Sequence, residues 1–160
     1  GTVRADDPLL TSRGRRSPEP LRVVLSRSLD LPDQAQLWNI AVAPTLVVHG
    51  PEAADQQAPI GPERLELVQC EPLQLMQHLA ERGCNRVLWE CGPDLAASAI
   101  RQDCVQEVAA VVSPKLMGGL AARTPLGELG FSAMAQVLSG TLQNPRPIGD
   151  DWLLSMRLEG

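Results

Sequence analysis

Short stretches rich in Val and Leu alternate with segments whose apolar residues recur at helical spacing, and this alternation constrains the fold of the 160-residue chain more than any other feature. Strands separated by crossover helices pair in parallel, so the pattern predicts an α/β domain, with one mixed sheet and helices on its faces. Residues 21–25, 45–49, 65–68 and 86–89 read as strands. Between the last two, Leu73, Met76, Leu79 and Ala80 fall at helical spacing and Gly83 offers a stop, which predicts a helix over about 72–82. A second helix follows the fourth strand, with Pro93 in its first turn and Leu95, Ala96, Ala99 and Ile100 on one face. Residues 105–112 read as a buried strand ended by Ser113-Pro114, and 118–128 as a loop. The stretches 135–142 and 152–158 read as a closing antiparallel pair, separated by the turn-rich 144–151.

Composition narrows the function classes. A hydrophobic content of 44% is enough for one core, hence one domain. The net charge of -5 argues against a nucleic-acid face, and the cluster Arg13, Arg15, Arg16 is too small to reverse that. Nothing approaches the ~20 apolar residues that cross a bilayer, and no signal-peptide layout opens the chain, so it reads as soluble and cytoplasmic. Cys70, Cys84, Cys91 and Cys104 are irregularly spaced, which signals neither zinc nor a redox dithiol. With Phe131 and three Trp as the large aromatics, base-stacking surfaces are not expected. A chain opening on Gly1 reads as an excerpt of a longer protein or as a processed one.

Two segments carry chemistry. In Trp89-Glu90-Cys91-Gly92-Pro93-Asp94-Leu95 a glycine sits where a strand turns into a helix, so that backbone N–H groups can face an anion such as phosphate. Such a turn also serves as a plain strand-to-helix connection, and it is neither a G-x-G-x-x-G fingerprint nor a P-loop. Residues 1–13, GTVRADDPLLTSR, are dense in hydrogen-bonding side chains and read as a functional loop. There Asp6 or Asp7 is suited to accept from ribose or amide donors, and Arg13 to grip a phosphate; the bland alternative is a solvated Asp-Asp-Pro turn.

Gly1 to Arg13 resembles the GTVxADDPxLTxR signature of the bacterial bifunctional riboflavin deaminase-reductase family. Residues 21–26 are similar to that family's next strand, 87–98 to its (V/I)xxEGGPxLA segment, 105–118 to its VDExxxxxxPKLxG strand and 148–151 to the turn before its last strand. The resemblance implies a dihydrofolate-reductase-like fold with a mixed, mainly parallel sheet, and a homodimer. It implies NADPH as cofactor, contacted by Thr2 and Asp6, with Gly92, Pro93, Asp94, Leu95, Ala96, Ala97 and Ser98 around the pyrophosphate. Leu10, Arg13 and Glu90 would line the substrate pocket, and Ser26 and Arg27 resemble the segment that grips the 2′-phosphate. The implied reaction reduces the ribose of 5-amino-6-(5-phosphoribosylamino)uracil to the ribityl compound.

Cys91 stands where the family commonly has Gly or Ala. The family's first strand and helix, with an MSLDG-like segment and a further substrate-binding arginine, are expected before Gly1, and a deaminase domain upstream of them. No metal ligand set and no proton donor is legible, and His49, His78 and Lys115 read as packing or surface residues. Two rival readings are a non-catalytic nucleotide-binding partner domain and a dihydrofolate-reductase-type enzyme.

Overall fold

Three short segments pair in parallel early in the chain: β1 (Arg22–Leu25), β2 (Thr45–His49) and β3 (Glu63–Glu66), in the order β1-β2-β3. Register runs from Arg22 opposite Thr45 to Leu25 opposite Val48, and from Leu46 opposite Glu63 to His49 opposite Glu66. All five residues of β2 are buried, as its nearly continuous apolar run demands of a central strand covered on both faces. Val24, Leu29, Leu37, Trp38, Val47 and Ala53 form the core cluster. The computed structural model describes residues 1–116, 118 and 124–159; the chain divides into two compact units, Gly1–Leu88 and Trp89–Gly160.

The first unit also holds α1 (Thr2–Asp6) and α2 (Pro72–Glu81). Pro72, Leu75 and Leu79 make the buried stripe of α2, and Pro72 takes the first helical position, where no donor is lost. Past its last turn Gly83 adopts φ 82, its N–H donates to Ala80 O at 2.9 Å and Cys84 N–H donates to Leu79 O at 2.9 Å, the paired bonds of a Schellman cap.

In the second unit α3 (Pro93–Arg101) ends in the same two bonds, Asp103 to Ile100 and Cys104 to Ala99, with Asp103 at φ 55 in place of glycine. The unit's sheet is antiparallel and is built on one long strand. β4 (Glu107–Val112), β5 (Gly140–Leu142) and β6 (Arg146–Ile148) all pair with β7 (Asp151–Leu158), β4 along one edge and the other two along the opposite edge.

The α/β class, the two long helices and the 45–49 strand stand as read from sequence. Other elements differ: in place of one mixed sheet the first unit has a parallel sheet and the second an antiparallel one, and the strand read as buried over 105–112 starts at Glu107 and is mostly exposed. Residues 2–6, taken as loop, form a helical turn, ended when Asp7 enters the left-handed region at φ 38. β3 starts two residues before the expected segment, because its register follows β2 and not its own apolar run; Leu67 and Val68 fall outside it. Residues 144–151 contain β6, whose Pro147 is tolerated because among the described residues its strand pairs on one side only. Residues 86–89 pair with no strand among the described residues, and a β pattern without a ladder partner stays irregular. Of the expected 118–128 loop, 118 and 124–128 are irregular and the rest lies outside the described residues.

Candidate functional site

Thr2 and Asp6 lie on α1, and the chain leaves that helix through two anchored points. Gln36 N–H donates to the Asp7 carboxylate at 2.8 Å, while the Gln36 side-chain amide donates back to Asp7 O at 2.7 Å. Two residues on, Leu9 O accepts from the guanidinium of Arg22 at 3.3 Å. Arg22 is 2% exposed and also donates to the carbonyls of Gln36, Leu37, Asn39 and Ala43. Burial pulls its guanidinium below the ordinary arginine value, and backbone carbonyls are the acceptors that face it. Leu10, at φ 48, packs its half-buried side chain against the core cluster together with Val3.

Arg13 sits on a turn gathered around one carboxylate. Ser12 N–H and Oγ–H donate to Glu19 at 2.6 and 2.8 Å, and Gly14 N–H donates to it at 3.3 Å. These bonds hold the Glu19 carboxyl below its usual range, that from the Ser12 backbone most of all. Arg13 is exposed and left-handed, at φ 53.

Because β1, β2 and β3 are parallel, their carboxyl ends share one edge of the sheet, the edge at which open α/β sheets hold ligands. Ser26 N–H donates to Val48 O at 2.9 Å and Gly50 N–H to Arg27 O at 3.1 Å, which fixes Ser26 and Arg27 beside the end of β2. Arg27 lines a hollow of about 310 Å³ with Glu52, Val68, Gln69, Cys70 and Glu71. Its guanidinium is 66% exposed and stands 4.0 Å from Glu52 and 3.8 Å from Glu71, ion pairs too long to be hydrogen bonds. Cys70 at the hollow's base has its thiol pushed up to about 11 by burial.

In the second unit Glu90 is exposed and Gly92 is the N-cap of α3, at φ -71 and ψ 170. Among the described residues no side chain caps this helix end, so its first backbone donors and positive dipole end are left for water or an anion. Asp94, in the first turn, takes a share of that dipole. Leu95 and Ala96 complete the turn, whereas Ala97 is 1% exposed and Ser98 Oγ accepts from Gln102 at 3.4 Å, so these two act one turn deeper. Gly127 N–H donates to Pro93 O at 3.1 Å, and a Cβ on Gly127 would stand 3.0 Å from that oxygen and 3.2 Å from the Asp94 carboxylate.

Thus the first unit holds Thr2, Asp6, Leu10, Arg13, Ser26 and Arg27, and the second holds Glu90 and 92–98. Sequence reasoning missed Glu19, Arg22, Gln36 and Gly127. The one signal available was an arginine inside an apolar strand pattern at Arg22. Among the described residues no group of three or more His, Cys, Asp or Glu is placed to hold a metal, and no helix is long and apolar enough to cross a membrane.

The model of the RibD C-terminal domain family matches residues 1–154. The chain belongs to that family. As a RibD C-terminal domain it is 50% identical to the riboflavin biosynthesis protein RibD of Synechocystis sp., over 99% of this chain and 44% of that protein. It is 40% identical to the riboflavin biosynthesis protein PYRR, chloroplastic, of Arabidopsis thaliana, over 96% of this chain and 26% of that protein. Among solved structures, RibD of Acinetobacter baumannii superposes with a TM-score of 0.79 at 29% identity, covering 99% of this chain and 45% of that one. A Thermotoga maritima diaminohydroxyphosphoribosylaminopyrimidine deaminase/5-amino-6-(5-phosphoribosylamino)uracil reductase reaches the same TM-score at 24% identity, over 99% of this chain and 43% of that one. The chain thus spans less than half the length of these relatives. The dihydrofolate-reductase-like fold expected from sequence is the fold of this family.

Proposed function

We propose that this RibD C-terminal domain uses NADPH to reduce the ribose of 5-amino-6-(5-phosphoribosylamino)uracil to the ribityl compound. The family match over residues 1–154 carries the reading, and the reductase named for the Thermotoga relative supplies the substrate. In the parent protein the domain follows a deaminase domain, as the RibD relatives suggest, and works in the cytoplasm as a homodimer.

Each unit, taken by itself, holds residues of the chemistry that part of a phosphorylated dinucleotide requires. The uncapped start of α3 after Gly92 suits a pyrophosphate, with Pro93, Asp94, Leu95 and Ala96 in its first turn and Ala97 and Ser98 supporting it from the second. Arg27, beside Ser26 and held only loosely by Glu52 and Glu71, suits a 2′-phosphate. Thr2 and Asp6 offer a hydroxyl and a carboxylate to the cofactor's amide and ribose groups. When bound, NADPH supplies the hydride for reduction at the first ribose carbon. The chain's own work is to bind and orient: Arg13 takes the substrate phosphate, Leu10 gives an apolar contact, and Glu90 accepts from the substrate's polar edge.

The test is NADPH oxidation by the purified domain with authentic substrate. Turnover, with none on dihydrofolate, supports the reading. Binding of both ligands without oxidation favours a partner domain, and turnover of dihydrofolate favours a dihydrofolate-reductase-type enzyme. Arg13→Ala should raise the substrate KM and leave NADPH affinity nearly unchanged, since the charge-assisted contact contributes roughly 1.5–3 kcal/mol. Equal losses for both ligands would overturn the assignment of Arg13.

A further inference from the structure

We infer that Glu19 is a positioning residue that presents Arg13 to a phosphate monoester, an inference that rests on the reading of Arg13 as a substrate ligand. Arg13 and Gly14 are consecutive left-handed residues, at φ 53 and φ 75. An arginine adopts that conformation only when its neighbours over-determine it. The constraint here comes from both sides: Ser12, before Arg13, and Gly14, after it, donate their backbone N–H groups to the Glu19 carboxylate at 2.6 and 3.3 Å. The Ser12 hydroxyl adds a third bond to Glu19 at 2.8 Å and accepts from Arg16 N–H at 3.0 Å, closing the turn. Thr11 Oγ1 accepts from Arg13 N–H itself at 3.3 Å.

The same carboxylate is not spent on the guanidinium. Among the described residues no ion pair joins Glu19 to Arg13, and the Arg13 side chain is exposed. Glu19 therefore shapes the main chain while the cation stays available to a ligand. Removing its acceptors releases the turn and lets Arg13 relax to a right-handed conformation, with the side chain re-aimed.

A mutant cycle over Glu19→Ala and Arg13→Ala tests this, reading the affinity for 5-amino-6-(5-phosphoribosylamino)uracil and for NADPH separately by calorimetry. Each single variant should weaken the aminopyrimidine roughly tenfold and leave NADPH unmoved, and Glu19→Ala should add nothing in the Arg13→Ala background. Glu19→Gln, which offers one acceptor oxygen where the carboxylate uses two, should weaken the aminopyrimidine less than Glu19→Ala and still loosen the turn. It also carries the test if the alanine variant fails to fold, through faster tryptic cleavage after Arg13 at an unchanged melting temperature. Additive losses in the double variant, or equal losses for both ligands, overturn the inference. If Arg13→Ala weakens the aminopyrimidine and Glu19→Ala does not, the role of Glu19 alone fails. If Arg13→Ala has no effect, the Arg13 reading fails and takes the inference with it.

Discussion

The Arg22 guanidinium donates to the carbonyl of Leu9, thirteen residues earlier in the chain, at 3.3 Å. That bond ties the loop bearing Leu10 and Arg13 to β1, in a region where Arg22 also satisfies four carbonyls between Gln36 and Ala43.

Arg22→Met should therefore be severe despite its similar length. It keeps apolar bulk, and Gln36, Leu37 and Asn39 O still accept from Asn39 N–H, Thr45 Oγ–H and Val42 N–H, but Leu9 and Ala43 O lose their main donor; at ~1–3 kcal/mol for each orphaned group, a loss of ~2 kcal/mol or more is expected. Urea unfolding measures it. A loss under ~1 kcal/mol would mean that water reaches these carbonyls. Arg22→Lys should fall between, since an ammonium offers three donors and cannot match the fork.

Arg22 also marks the limit of what the chain reveals about itself. The existence of β2 was legible from its apolar run, and the starts of α2 and α3 because Pro72 and Pro93 take positions where a missing N–H is harmless, whereas the burial expected of 105–112 was not, since β4 is mostly exposed. The left-handed turn at Arg13 was not legible, because it depends on a glutamate six residues later. The bounds of β3 and the irregular 86–89 segment were not legible either, since strand limits are set by the neighbour. The family motif named Arg13 and Gly92, but which groups orient them emerged only from the hydrogen bonds.

Acid should weaken the first unit through two carboxylates. The Glu63 carboxyl is held below its ordinary value by hydrogen bonds from Arg82, at 2.7 and 2.9 Å, and that of Glu19 by the Ser12 bonds. A folded value below the unfolded one gives stability that is full above the unfolded pKa, near 4.5, and is lost as pH falls through the folded one. Urea midpoints between pH 6 and pH 3 should drop more steeply for the parent than for Glu63→Gln. Because Glu63 and Arg82 are both partly exposed, the difference should shrink in high salt. Parallel curves at low salt would show that the pair adds nothing.

Thiol reactivity should follow burial. Cys70 is 7% exposed with its thiol pushed up to about 11, and burial also raises Cys91 and Cys104. Alkylation with iodoacetamide at neutral pH should label Cys70 last, because the thiolate is the nucleophile and burial withholds it there. Peptide mapping by mass spectrometry reads the order. Early labelling of Cys70 would mean that the hollow beside Arg27 opens more widely than its packing indicates.

Gly92→Val separates the binding role of the α3 start from its folding role. Gly92 lies at φ -71 and ψ 170, extended backbone open to any residue, so valine should add no backbone strain and should shift the melting temperature little. What it adds is a branched side chain at the N-cap, beside the donors proposed to meet the pyrophosphate. The dipole supplies only ~0.3–1 kcal/mol per favourable charge, so steric exclusion and lost N–H contacts should dominate, and NADPH binding should be abolished. Gly92→Ala, with a single methyl, should weaken binding less. Calorimetric titration with NADPH, paired with thermal unfolding, reads both quantities. A valine variant that melts like the parent and binds NADPH as tightly would show that the pyrophosphate does not lie at this helix start. One that loses both stability and binding would show that glycine is kept at 92 for packing.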